Sequence, residues 1–210
     1  MPESTRVGRP RGGGRSQRQM REHLLDAAEL VIAGAGIDGA TVEAVAAEAG
    51  VSRSTVYRAF DNRDEMILGV VGRAAQAFGE TLRHRVVELD ELPLADLIVE
   101  TMADVVRMGR EPGLNALFVG HDRDVVESLI RGTGTVAEIA HVVLLDVLEL
   151  LTPEQRRDLR DDVELNEVAR WLVHVGLMLI TGTNEWSTDP EQTRLFLERF
   201  VVPSIVRARP

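Results

Sequence analysis

The sequence has no cysteine and no lysine. Without thiols it can build no disulfide framework, no thiolate metal site and no sulfur nucleophile. Long apolar runs are missing too. Nothing reaches the roughly 18 uninterrupted apolar residues of a membrane span, and the basic, polar N-terminus has no signal-peptide core. No membrane partner is expected, and the expected location is the cytoplasm. Enzyme signatures are also absent: there is no phosphate-cradling glycine motif after a strand, no Gly-x-Ser-x-Gly elbow and no parallel sheet to hold either. His121, His141 and His174 show no local ligand spacing, so no metal or cofactor is expected. Adjacent acids such as Asp161 and Asp162 read as solvated charge flanking a helix.

What the chain does have is arginine, unevenly distributed. All 24 basic residues are arginine, against 34 acids and a net charge of −10, and the guanidinium fork suits phosphate and guanine. Residues 1–63 carry a balance of +1 and residues 64–210 one of −11. Over residues 1–21, Arg6, Arg9, Arg11, Arg15, Arg18 and Arg21 face only Glu3. An anionic partner near the N-terminus follows, with a solvated tail as the alternative.

The organisation is helical almost throughout. With 210 residues, 44% of them hydrophobic, the chain can bury one large core or two smaller ones. After a glycine-rich arm, Ser16 and Gln19 form a capping-box signal, and Met20, Leu24, Ala27, Ala28 and Val31 recur at helical spacing until Gly34 and Gly36. Thr41 caps a second helix to about Ala49, Ser52 a third to about Phe60, and Asn62 with Glu65 opens a long fourth. Further helices are expected over Arg63–Val87, Pro93–Arg110, Leu114–Val119, Arg123–Leu151, Glu154–Arg160, Asp162–Thr183 and Pro190–Val206, with Pro203 kinking or ending the last. No convincing alternating strand and no internal repeat is present.

The segment from Thr41 to Phe60 carries the spacing A-x3-G-x5-V at Ala46, Gly50 and Val56. Ala46 lets two crossing helices approach, Gly50 supplies a left-handed turn and Val56 packs the third helix on the second, which is the pattern of a helix-turn-helix. Its surroundings sharpen that reading: Leu24 to Leu30, Gly36, Thr41, the run Ala49 to Ser52, Tyr57-x-x-Phe60 and Asn62 to Met66. Together, over about residues 18–70, they resemble the N-terminal domain of the TetR family of transcriptional regulators. Val31 stands where that family commonly has an aromatic residue, and Arg63 where it usually has lysine.

On the third helix, Val51, Val56 and Phe60 are expected to face the core, leaving Arg53, Ser54, Thr55, Tyr57 and Arg58 outward. Arg53 and Arg58 are candidates for guanine, Ser54 and Thr55 for adaptable contacts including thymine methyls, and Tyr57 for phosphate. Thr41 and Arg63 begin helices, where free N–H groups favour a phosphate, and Ser52 combines capping with contact. Gly8-Arg9-Pro10-Arg11 resembles the core of an AT-hook, which places Arg9 and Arg11 in an adjacent A·T-rich minor groove.

The resemblance implies an all-α protein of about nine to ten helices. Its parts are a flexible basic arm (1–15), a three-helix DNA-binding domain (16–62) and a larger helical effector-binding and dimerisation domain (63–210). It implies a homodimer through the last two long helices, a palindromic double-stranded DNA operator and a small-molecule effector. Phe78, Met102, Leu117, Phe118, Trp171, His174 and Met178 are the pocket candidates, their character pointing to a hydrophobic or aromatic ligand. The far end of the fourth helix, around Ala74 to Leu82, reaches that pocket in the same reading. An architectural or ligand-independent DNA-binding protein is the alternative.

Overall fold

A computed structural model describes residues 13–111 and 135–208. The expected helix Leu114–Val119, the start of the helix expected from Arg123, and the candidates Arg9, Arg11, Leu117, Phe118 and His121 lie outside the described residues.

Four helices build the N-terminal unit: α1 (Gly13–Gly39), α2 (Val42–Glu48), α3 (Arg53–Ala59) and the long α4 (Arg63–Glu88). Helix α1 begins three residues ahead of Ser16, which therefore lies inside its first turn rather than at its cap. Its regular course breaks at Gly36, whose φ of 72° and ψ of 177° are open in practice to glycine alone. The three caps expected downstream all form. Thr41 Oγ1 accepts from the N–H of Ala44, Ser52 Oγ from that of Thr55 and Asn62 Oδ1 from that of Glu65. The box at α4 is offset, however: the Glu65 carboxylate returns to the N–H of Asp61 rather than to that of Asn62.

Seven-residue helices such as α2 and α3 cannot persist alone, because so few hydrogen bonds do not offset nucleation. They are held by a small core in which Leu24, Ala28, Val45, Val56, Phe60 and Met66 are almost completely buried. Gly50, with φ 65°, makes the turn between them.

Helix α4 runs 26 residues, about 39 Å at 1.5 Å per residue, and belongs to two cores. Met66, Val70 and Val71 complete the N-terminal one, whereas Leu82 and Val86 enter a larger one. That larger core is shared with α5 (Leu94–Gly109), α6 (Thr135–Leu148) and α8 (Leu165–Thr181). Between the last two lies α7 (Pro153–Arg157), closed by a capping box from Thr152 and Gln155. A short α9 (Glu185–Thr188), capped by Asn184, was not legible in the sequence pattern.

The final segment is α10 (Pro190–Phe196), a π turn over Leu197–Val201 and α11 (Val202–Ile205). Pro203 accounts for the π turn: it has no N–H to offer the carbonyl four residues back, and the N–H of Val202 reaches five residues back to Leu197 instead. Among the described residues the sole β-type pairing is an isolated bridge between Leu159 and Val206, and no helix is long and apolar enough to cross a membrane.

Candidate functional site

Helix α3 presents its outer side to solvent because only one of its faces is apolar. Val56 and Phe60 are 1% and 2% exposed, while Tyr57 is 51% exposed and Arg53, Ser54 and Arg58 are also exposed. Thr55 is half-buried, and its hydroxyl joins Ser52 and Arg58, at 2.9 Å and 3.3 Å. Ser52 Oγ also lies 2.8 Å from Ser54 Oγ. The structure thus brings Ser52, Arg53, Ser54, Thr55, Tyr57 and Arg58 onto one surface element.

Arg53 is not alone there. Its guanidinium forms an ion pair with Glu43 on α2, two side chains that are both more than half exposed. Glu43 went unnoticed in the sequence because its charge counts as ordinary for the first turn of a helix.

Three side chains anchor α2, α3 and α4 to α1. Arg21 donates to the carbonyl of Ala59 at the end of α3, pairs with Glu65 at 3.1 Å and stacks 4.2 Å over the Phe60 ring. The Asp61 N–H and, less strongly, Arg21 hold the Glu65 carboxyl below its ordinary pKa. His23 Nε2 lies 3.0 Å from the carbonyl of Ala49. Arg63 points largely inward: Nε donates to the carbonyl of Ala40 at 3.1 Å and Nη2 to that of Ile37, while Nη1 is 3.9 Å from Asp64. It ties the start of α4 to the turn after α1.

Further along α4, Arg73 meets a carboxylate stripe on α1, lying 2.8 Å from Glu29, 2.7 Å from Asp26 and 3.5 Å from Glu22. Burial pulls its pKa down, but the hydrogen bonds and charges of Glu29 and Asp26 outweigh that and raise it. The guanidinium stays charged, and α1 and α4 are locked at a second point.

On either side of that lock, α4 enters the wall of a cavity of about 100 Å³. Val71, Ala74, Ala75, Phe78 and Leu82 contribute from α4, and Met102, Val105 and Gly109 from α5. Ile139, Ala140, Val143 and Leu144 come from α6, and Leu172, Val173, Gly176, Leu177 and Ile180 from α8. Of the pocket candidates within the described residues, Phe78 and Met102 are in this wall. Trp171, His174 and Met178 are not.

That outcome has a geometric reason. The three residues do share one stripe of α8, but the helix carries a second stripe at Leu172, Val173, Gly176, Leu177 and Ile180, and only one can face inward. The aliphatic stripe is inside, while Trp171 and Met178 are each 47% exposed. Trp171 Nε1 donates to Ser204 at 3.1 Å, so the outer face of α8 is continuous with α11. Phe200 at 60% and Trp186 at 41% exposure extend this apolar surface, with Trp186, Phe196 and Phe200 rings 5.2 to 6.3 Å apart. His174 and His141 hydrogen-bond the backbone carbonyls of Arg170 and Asn166, at 2.6 Å and 3.3 Å. No group of three or more potential metal ligands occurs among the described residues.

Comparison with known proteins agrees with this architecture. Residues 24–70 match the family model described as bacterial regulatory proteins, tetR family. An uncharacterized HTH-type transcriptional regulator of Mycobacterium tuberculosis is 26% identical over 190 residues, covering 89% of this chain and 86% of that protein. Another, of Mycobacterium bovis, is 29% identical over 130 residues, 56% of this chain and 64% of that one. The fold matches the TetR family repressor AlkX from a Dietzia strain, implicated in biodegradation of n-alkanes, with a TM-score of 0.63 at 20% identity, covering 88% and 94% of the two chains. It also matches the transcriptional regulator FadR of Bacillus subtilis in complex with stearoyl-CoA, at 0.59 and 13%, covering 85% and 97%. The helix-turn-helix geometry and the matched segment agree: residues 24–70 form a DNA-binding domain of the tetR type, and along most of its length the chain is similar to HTH-type transcriptional regulators and shares the fold of TetR family repressors.

Proposed function

We propose that the chain is a homodimeric repressor that occupies a palindromic operator in the cytoplasm and leaves it when a small hydrophobic or aromatic ligand enters the body. The observation that carries this reading is α4: one unbroken helix starts against the DNA-binding unit at Asn62 and walls the cavity from Val71 to Leu82. Two recognition helices read one face of a duplex only when held about 34 to 36 Å apart, or a multiple of that repeat. A ligand that displaces Phe78 tilts α4, and the Arg73 lock makes α1 follow, so the separation changes. Linkage then requires operator DNA to weaken ligand binding by the same factor that the ligand weakens DNA binding.

In this reading Arg53 and Arg58 contact guanine, Ser54 and Thr55 adapt to neighbouring bases, and Tyr57, Thr41 and Ser52 meet phosphates. Glu43 aims the Arg53 fork. Arg63 adds charge near the backbone while holding the turn after α1, and Arg9 and Arg11 enter the flanking minor groove. The exposed surface of Trp171, Met178, Trp186 and Phe200 supports a two-fold interface through α8 and the final helical segment, since apolar area of this kind is seldom left to water. The implication of the Dietzia repressor in biodegradation of n-alkanes and the stearoyl-CoA complex of the Bacillus subtilis regulator support a repressor with an apolar effector.

The test is selection of bound DNA from a random library. Recovered sites should be palindromic with half-sites centred about 10 base pairs apart, or a multiple. Recovery of sites without two-fold symmetry would refute the dimeric operator reading. Sedimentation should give a dimer for the native chain and a monomer for Phe200→Asp.

A further inference from the structure

We infer that the cavity is built for a single unbranched saturated alkyl chain, of about eight to ten carbons, and that it rejects fused aromatic rings. This rests on the effector-site reading above and narrows its ligand to one chemical class. Three observations carry it.

The first is the chemistry of the wall. Every described lining residue is aliphatic, glycine, methionine or phenylalanine. None offers a hydroxyl, amide or charge, and the helical backbone is already paired within its helices. A polar substituent placed there loses its water without gaining a partner, which strongly disfavours entry. The ligand portion inside must therefore be hydrocarbon. Phe78 is the one aromatic ring among the described lining residues, so no pair of rings is available to sandwich a planar guest.

The second is shape. Along α4 the wall runs from Val71 to Leu82 and along α8 from Leu172 to Ile180, about 16 Å and 12 Å at 1.5 Å per residue. About 100 Å³ distributed over that length makes a narrow bore. Carbon–carbon bonds of about 1.5 Å in a staggered zigzag advance roughly 1.25 Å each, so about eight to ten carbons span the shorter wall.

The third is how the bore is kept narrow. A Cβ built on Gly79 would lie 2.7 Å from Val143, and one on Gly109 would lie 2.4 Å from Ile180. At these points the Val143 side chain of α6 packs onto the bare backbone of α4, and the Ile180 side chain of α8 onto that of α5. Gly176 differs, since a Cβ there would sit at an ordinary 3.5 Å from Met102 and Val105. A methyl group is accommodated there without moving a helix, and it intrudes on the bore.

The experiment uses the full-length chain without DNA and follows its melting temperature and a titrated dissociation constant. The probes are straight-chain alkan-1-ols and alkanoates of four to fourteen carbons, octane, and 1-naphthol. Affinity should rise about fourfold per added methylene, the value of burying one CH₂, and stop rising at about eight to ten carbons. Equal binding of octane and octanoate would identify a free hydrocarbon as sufficient, and tighter binding of octanoate an acyl tail whose head stays at the mouth; both support the alkyl class. Gly176→Ala and, independently, Ala75→Leu should lower the length at which affinity stops rising while the unliganded chain still melts cooperatively. Tighter binding of 1-naphthol than of any alkyl probe, no dependence on chain length, or no binding of any probe overturns the proposal. Operator release is read separately. An alkyl chain that binds without releasing DNA upholds the ligand class and refutes the release mechanism, whereas release by 1-naphthol with no alkyl binding does the reverse.

Discussion

The N-terminal unit and the body of this regulator are both helical, yet they use burial in opposite ways. In the N-terminal unit a handful of residues close a small core completely: Phe60, Leu24, Val45 and Met66 are at most 2% exposed, and polar staples from Arg21, His23 and Arg63 fix the turns. The body is larger and leaves room, with a cavity of about 100 Å³ at its centre and large apolar side chains on its outside. A DNA reader needs one rigid shape; a ligand sensor needs a core that a small molecule can complete. Helix α4 takes part in both, which makes the contrast open to test.

The largest effect should come from breaking the tight core. Phe60→Ala removes a fully buried ring and the platform under Arg21, and should cost about 3 to 5 kcal/mol in urea denaturation. Phe78→Ala is the matching change beside the cavity. That ring is only partly buried, so the loss of stability should be clearly smaller, while alkyl binding changes more. Equal losses at the two positions would erase the distinction drawn between the two cores.

On the reading surface, Arg58→Ala and Arg53→Ala should each cost about 1 to 3 kcal/mol in operator affinity and relax base preference at one position. Both proteins should keep the native melting temperature. Arg63→Ala should instead lower the melting temperature as well as DNA affinity, because its guanidinium holds the carbonyls of Ile37 and Ala40. Glu43→Gln should weaken base discrimination while raising affinity for random DNA, as one carboxylate beside the phosphates is neutralised; unchanged discrimination would show that the Glu43 pair does not orient Arg53.

Removing a cap comes next. Ser52→Ala should destabilise the N-terminal unit by about 1 kcal/mol, measured by denaturation, with little change in the body.

The smallest effect is electrostatic. Glu100 on α5 pairs with Arg194 on α10 through two contacts of 3.1 Å, and that hydrogen bond depresses the carboxyl pKa despite opposing desolvation. A depressed folded-state pKa means the stabilisation is fully present above the unfolded value of about 4.3 and is lost as pH falls through the folded value. Glu100→Gln should therefore reduce the difference in melting temperature between pH 7 and the acid range below about pH 4, without steepening it. Partial exposure of both groups keeps the effect modest.

How much of this was legible beforehand differs between the regions. The caps at Thr41, Ser52 and Asn62, the left-handed Gly50 and the outward face of α3 are local matters, written within three or four residues of each other, and they were readable in order. The outward position of Trp171, His174 and Met178 was not. Their spacing correctly puts them on one stripe, but a stripe does not carry the identity of its neighbour. The apolar residues of α8 supply two candidate inner faces, and choosing between them needs the positions of α4, α5 and α6.

By itself, then, the sequence determined the helical class and the helix-turn-helix with its capped ends, because these rest on backbone geometry and on periodicities that each segment carries alone. Tertiary structure decided the rest: which stripe of α8 meets the cavity, that Arg63 turns inward, that Glu43 meets Arg53, and that α4 bridges two cores. Those depend on contacts between residues far apart in the chain, where several packings satisfy the same local pattern and only the one that buries the most apolar surface while pairing the polar groups survives.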